Sequence, residues 1–400
     1  MGRLRRVFDK IRWIVRINIA LLLLVFTSQC DKQGKDLLEL EEGSRIVLIG
    51  NNLASRMGEF GYFETELHLR YPDKSLFIRN MAHPGHTPAF RMHSSRNSPW
   101  AFPGAEKFSP QFAAEPSTEG HFPTEDEWLT DLKADIIIAF FGYNESFEGK
   151  EGVENFKKEL DAFIKHTHRQ QYNGATPAQL ALVSPIAFQD FSDKYDLPDG
   201  KVENTNIRLY TDAMKEVAAE NKVLFLDVFS PTKKWFDSAE NLTIDGSQLS
   251  GQGYKKFAEL LADRIFGKAK RKVHTEYHGE VRKAVLEKNW MWLKDFKIPN
   301  GVHAYGRRYN PFGPDNYPAE QAKLQELTAI RDTAIWKAAQ GIKMDLELAD
   351  RNTSPLPEVE TNYDDPENEG YLYGQDALHK FHMAPGYKIE LLPPKKNFRI

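Results

Sequence analysis

The sequence predicts an α/β fold: a doubly wound, mostly parallel sheet of five strands with helices on both faces, followed by a helical C-terminal extension. Three observations predict it. Five short apolar runs alternate with longer helical stretches. The runs are apolar at nearly every position rather than every second one, as in parallel strands covered on both faces. They also end at glycine, proline or polar turn residues, and ligands of such sheets sit just outside those carboxyl ends.

The elements follow in order. Arg45 to Gly50 (Arg-Ile-Val-Leu-Ile-Gly) reads as the first strand, and a helix from about Leu53 to Arg70 carries Phe60, Phe63, Leu67 and Leu69. Ser75 to Asn80 is strand-like and runs into the turn His83-Pro84-Gly85-His86-Thr87-Pro88. Residues Arg91 to Glu127 are rich in Ser, Pro, Gly and Phe and read as a surface excursion. Ala134 to Phe141 is the third strand, ending at Gly142, and a helix covers Gly152 to Arg169. Gln179 to Pro185 is the fourth strand. A helix from Asn204 to Asn221 leads into a fifth, Val223 to Phe229, and the last helix of the layer runs from Gly253 to Phe266. Beyond Lys268 the spacing predicts helices over His274 to Trp292 and Ala319 to Asp345, with a loop over Pro299 to Pro318 between them. Asn352 to Glu369 has linker composition, and Met383 to Leu392 looks like one further strand. The predicted organisation is therefore a leader over 1–30, a spacer over 31–44, the α/β domain over 45–267, the helical extension over 268–350, and a linker with a strand-like tail over 351–400.

Composition narrows the function. Hydrophobic residues make up 41% and charged residues 28%, and the formal charge is −4, with no basic or aromatic stripe outside the N-terminus to argue for nucleic acid. No Gly-x-Gly-x-x-Gly run follows a strand, so no nucleotide cofactor is expected. His166 and His168 stand two apart, off one helix face, and His274 and His278 have no evident third ligand, so no metal is expected either.

The N-terminus carries Arg3, Arg5, Arg6, Lys10, Arg12 and Arg16, then an apolar run from Ile17 to Phe26. That run is too short for a bilayer span of about 20 residues and suits a secretory h-region. Thr27-Ser28-Gln29-Cys30 resembles a bacterial lipoprotein signal, in which Cys30, the single cysteine, would become the lipidated first residue. Gln29 and Thr27 depart from the usual residues, which leaves an ordinary signal peptide or a short anchor as the alternative. The expectation is export to the periplasm or outer membrane, with membrane attachment through the signal or a lipid on Cys30.

The strand ends carry Gly50-Asn51-Asn52-Leu53, Gly85, Gly142-Tyr143-Asn144-Glu145 and, before the last helix, Asp245-Gly246-Ser247-Gln248. In order and spacing, over residues 45 to 267, these resemble the SGNH (GDSL-type) hydrolases, whose blocks are Gly-Asp-Ser-Leu, a glycine, Gly-x-Asn-Asp and Asp-x-x-His. The resemblance implies an SGNH or flavodoxin-like sheet and an ester-hydrolase site. It places Asn52 at the nucleophile position, Gln248 at the histidine position and Asp245 at the acid that orients it. An amide is neither a hydroxyl nucleophile nor a base near neutral pH, so the usual serine chemistry cannot run with these residues. The implied oxyanion hole, the Asn52 and Gly85 N–H groups with the Asn144 amide, survives side-chain replacement. His83 and His86 flank Gly85 and are the candidate substitute bases. Ser55, Ser247 and Asp227 are weaker candidates, each with a packing or capping role as the simpler reading.

Arg45 to Leu53, Phe140 to Phe147, Leu182 to Ala187 and Met383 to Leu392 further resemble domains of large exported planctomycete-type proteins. There such a domain precedes a membrane-bound-dehydrogenase β-propeller and a c-type haem module. No Cys-x-x-Cys-His motif is present, so haem is not carried over, and any propeller or haem partner would be encoded separately. Three readings follow. The first is a catalytically degenerate envelope module binding a carbohydrate or acylated ligand; the second, an active carboxylic-ester hydrolase, of carbohydrate O-acyl esterase type, with a displaced catalytic set; the third, a scaffold with a vestigial pocket.

Overall fold

The computed structural model describes residues 37–93, 98–112, 119–238, 240–269, 273–361 and 374–391. The leader and Cys30 lie outside the described residues. Among the described residues no helix is long and apolar enough to cross a membrane.

The predicted fold class is borne out. Strands β1 (Arg45–Gly50), β2 (Phe77–Asn80), β3 (Ile136–Phe140), β4 (Gln179–Val183) and β5 (Leu224–Leu226) form one sheet in the order β2-β1-β3-β4-β5. Every pairing is parallel. This order reverses direction between β1 and β3, and the crevice at such a switch point is where doubly wound sheets hold ligands.

The continuous apolar runs have the cause inferred for them. Ile46, Leu48, Ile136 and Ile138 face one buried core, and Val47, Ile49, Ile137 and Ala139 face a second on the opposite side. Successive side chains of a strand point to opposite faces, so a strand covered twice must be apolar throughout. Helices α1 (Asn52–Phe60), α2 (Tyr62–Arg70), α3 (Glu125–Asp131), α4 (Val153–Thr167), α5 (Lys201–Asn221), α6 (Phe229–Phe236) and α7 (Gly251–Phe266) supply the cover.

Several boundaries differ from expectation. The single helix over 53–70 is two, because Gly61 adopts φ +69° and ends α1 with its N–H on the Met57 carbonyl. The fifth strand is only Leu224–Leu226. Asp227 accepts from the Ser230 backbone N–H at 2.9 Å and its hydroxyl at 2.6 Å, and this local capping turns the chain into α6. The loop over Pro299 to Pro318 gives way to helix already at Gly313, with Pro314 in the first turn, where its missing N–H costs nothing. The strand expected at Met383 to Leu392 is not one: through residue 391 the segment holds a turn, pairs with no strand and is largely exposed.

The extension closes the edge of the sheet. Helices α8 (His278–Phe296) and α9 (Gly313–Ala339) pack together beside β2. On that strand's outer side, the Leu76 carbonyl accepts from Trp336 Nε1 at 2.9 Å, Ile78 from Lys288 Nζ at 2.8 Å and Asn80 from Trp292 Nε1 at 3.1 Å. Alternate carbonyls of an edge strand point outward unpaired, and side-chain donors here take the place of a further strand.

Candidate functional site

Two backbone features bring the first and third strand ends together. Gly50 has φ +115°, and a Cβ there would lie 2.1 Å from the Phe140 carbonyl oxygen, so only glycine lets β1 and β3 end side by side. Asn51 follows with its N–H on that same carbonyl at 3.0 Å, and its side chain caps α1 by accepting from the Leu53 N–H at 3.2 Å. Asn52 is thereby set on the first turn of α1, beside the switch point.

The Asp245–Gln248 turn meets it. Asp245 Oδ1 accepts from the backbone N–H groups of Ser247 at 2.9 Å and Gln248 at 2.8 Å. Its Oδ2 takes the Gln248 amide N–H at 2.6 Å. That bond fixes which end of the Gln248 amide faces the site: the oxygen, which accepts from Asn52 Nδ2 at 3.2 Å and from Arg56 Nη1 at 3.1 Å. Burial alone would push the Asp245 carboxyl up, but the backbone and side-chain donors of Gln248 and Ser247 outweigh it and hold the group below its ordinary value. The three positions matched to a triad therefore form one directed relay, Asn52 to Gln248 to Asp245, ending on a carboxylate.

Beside the relay lies a cavity of about 210 Å³ whose lining includes Asn51, Asn52, Tyr143, Ser184, Gln248 and Tyr254. Ser184 is not available as a nucleophile. Its buried oxygen accepts from the Val228 and Phe229 N–H groups at 3.0 and 3.2 Å, and its hydroxyl faces the Pro185 carbonyl at 3.1 Å. Ser247 lines the cavity too, with its hydroxyl on Asp245 at 3.0 Å.

The other candidates lie in a second group. Asn144 donates its amide to the His86 carbonyl at 2.9 Å, which ties it to the Gly85 turn, where Gly85 has φ +86°. Neither Gly85 nor Asn144 lines the 210 Å³ cavity. His86 is buried and its Nε2 donates to the Met92 carbonyl at 3.1 Å, while its ring stacks on His83 with centroids 5.3 Å apart. His83 donates from Nδ1 to the Pro84 carbonyl at 2.8 Å and lines a different cavity. Ser55 faces Lys297 Nζ at 3.4 Å.

A buried acid supports the third strand end. Glu145 Oε2 accepts from the Gly142 N–H at 2.9 Å and is sealed beneath the loop. Burial, reinforced by the nearby Glu159, pushes its carboxyl up to about 8. A carboxyl raised in the folded state binds its proton more tightly there than in the unfolded chain, so its contribution is fully present below the unfolded value of about 4.3 and fades as pH rises toward 8. The parent protein is expected to lose several degrees of Tm between pH 5 and pH 8.5 from this group. Glu145→Gln, which keeps the shape without the charge, is expected to flatten that slope. Melting curves across the range check it, and equal slopes in both proteins would contradict the assignment.

Sequence reasoning missed Arg56 and the cavity wall at Tyr143 and Tyr254. Arg56 was findable: it stands four residues after Asn52, and residues i and i+4 of a helix share a face. Tyr254 carried no local signal, since it reaches the site through the packing of α7 on α1.

No protein family model matches this chain, and no curated protein matches it. Among solved structures, it is similar to Axe2, an acetylxylan esterase from Geobacillus stearothermophilus, at 14% identity and a TM-score of 0.40, over 59% of this chain and 100% of that one. It is also similar to LAE5, an alpha/beta hydrolase enzyme from the metagenome of Lake Arreo, Spain, at 15% identity and a TM-score of 0.39, over 56% of this chain and 96% of that one.

Proposed function

We propose that the chain is an SGNH-type, ester-hydrolase-like module of the cell envelope that binds a carbohydrate or acylated ligand at the strand ends without turning it over. The observation that carries this reading is the amide relay. Where a hydrolase needs a group that takes a proton from a hydroxyl, Gln248 offers an amide oxygen already engaged by two donors, and Asn52 offers no hydroxyl. Asp245 is left to hold an amide rather than an imidazole.

What the relay loses in chemistry it keeps in recognition. Amides of Asn51, Asn52 and Gln248 beside the rings of Tyr143 and Tyr254 present donors, acceptors and apolar faces but no net charge at the cavity wall, which suits a neutral ligand rich in hydroxyl or ester oxygens. The envelope location rests on the N-terminal signal alone.

The test pairs binding with turnover. Calorimetric titration with acetylated xylo-oligosaccharides is expected to show binding that Asn52→Ala weakens about tenfold, the scale of one or two lost hydrogen bonds. Hydrolysis of those esters and of 4-nitrophenyl acetate is expected to stay at the level of buffer. Turnover that disappears in Asn144→Ala would replace this reading with a hydrolase using a displaced catalytic set. Neither binding nor turnover would leave a scaffold.

A further inference from the structure

A second cavity, of about 270 Å³, opens between the Gly85 turn and the C-terminal end of α8, lined by His83, Met92, His93, Lys297 and Ile298. Among the described residues, its polar lining is made only of groups that can carry positive charge. Lys297 is the last link between α8 and the loop that follows, and its side chain lies half-buried against α1. Its ammonium faces the Ser55 hydroxyl at 3.4 Å, and among the described residues no carboxylate comes within ion-pair distance of it. Burial pulls its pKa down, and the charge of Glu59 only partly opposes this. A partly desolvated ammonium without a counter-ion is an unfavourable arrangement that a bound anion would relieve. The two histidines wall the same space. His93 donates from Nε2 to the Phe296 carbonyl at 3.2 Å and His83 from Nδ1 to Pro84 at 2.8 Å, so each ring is held in a fixed orientation by the backbone.

We propose that this cavity binds the anionic group of a ligand, a carboxylate or a phosphate, with Lys297 as its counter-ion and His83 and His93 as walls. The proposal stands independently of the strand-end pocket, since none of the described residues lining this cavity lines the other. The two are nevertheless neighbours. The His83 N–H bonds the Gly50 carbonyl at 2.9 Å, and α1 carries both Asn52 and Ser55. A saccharide bearing a uronate or phosphate could occupy both.

The experiment measures thermal shift and calorimetric binding of glucuronate and of inorganic phosphate to the whole protein. Glucose is the neutral control, and chloride holds the ionic strength constant. At least one anion is expected to raise Tm and bind, and Lys297→Met is expected to weaken that binding at least about tenfold, the scale of a charge-assisted hydrogen bond. Without anion, Lys297→Met is expected to melt at or above the parent temperature, which separates loss of a ligand group from loss of fold. Glucuronate alone binding assigns a carboxylate-bearing sugar, phosphate alone a phosphate ester, and both a general anion site. No effect of either anion on the parent, or equal binding by Lys297→Met, overturns the proposal. Because acetylated neutral oligosaccharides are titrated separately, its failure would leave the strand-end reading untouched.

Discussion

Restoring a hydroxyl and an imidazole together, as Asn52→Ser with Gln248→His, is expected to raise hydrolysis of 4-nitrophenyl acetate by about 10²-fold or more over the parent, the lower end of what a positioned base contributes. The geometry supports the expectation. Asp245 Oδ2 already holds the side chain at 248 by an N–H at 2.6 Å, the bond that would orient an imidazole and leave its other nitrogen toward position 52. The parent's Asn52 and Gln248 side chains lie 3.2 Å apart, within reach of a nucleophile–base pair. Each single change should give little, because groups that act as a unit do not contribute separately. Arg56 opposes the rescue. Its guanidinium lies 3.1 Å from the Gln248 oxygen and would disfavour the imidazolium that forms as the base takes its proton. Adding Arg56→Gln should therefore raise the rate of the double variant further and move its pH–rate profile toward higher pH. A folded double variant that still binds saccharide but hydrolyses no ester would show that the relay is not a displaced copy of a triad.

The strand-end part of this site was legible in the sequence because parallel strands and their terminal glycines leave strong local marks. Gly50 and Gly142 end apolar runs, and the sheet then brings together residues nearly 200 positions apart, such as Asn52 and Gln248. The parts that were not legible depend on tertiary contact or on competition between local signals. The apolar stripe continues from Phe60 to Phe63 across Gly61, so the pattern reads as one helix while the backbone turns left-handed at the glycine. Val228 and Phe229 extend an apolar run, but Asp227 captures Ser230 and starts a helix. At Met383 to Leu392 the composition suits a strand, and a strand needs a partner edge that the described chain does not provide there. The aromatic-rich helix over 274–292 was foreseen, but not that its Lys288 and Trp292 would serve as hydrogen-bond donors to an edge strand more than 200 residues earlier.

That edge carries the largest expected loss of stability. Lys288 is fully buried, and its ammonium donates to Glu64 at 2.9 Å, the Ile78 carbonyl at 2.8 Å and Asn289 Oδ1 at 2.7 Å, so every proton has an acceptor. Burial would push the Glu64 carboxyl up, but Lys288 and His68 outweigh it and keep it lowered. Lys288→Met keeps most of the side-chain volume and removes the charge, leaving Glu64 buried without its principal cation and the Ile78 carbonyl without a donor. Breaking one side of a buried pair costs about 3–5 kcal/mol, whereas replacing both sides by apolar residues is often nearly neutral. Urea denaturation should therefore show a loss in that range for Lys288→Met, largely recovered in Lys288→Met with Glu64→Leu. The pH dependence supplies an independent sign. In the parent, the lowered Glu64 contributes stability above its unfolded value of about 4.3 that is lost as pH falls. In Lys288→Met the same carboxyl is raised, so the deficit relative to the parent should be larger at pH 8 than at pH 5. A deficit independent of pH, with no recovery in the double variant, would place the role of Lys288 in packing. The edge of β2 would then be held by Trp292, Trp336 and the Arg79–Asp332 pair, with hydrogen bonds of 2.9 and 2.5 Å.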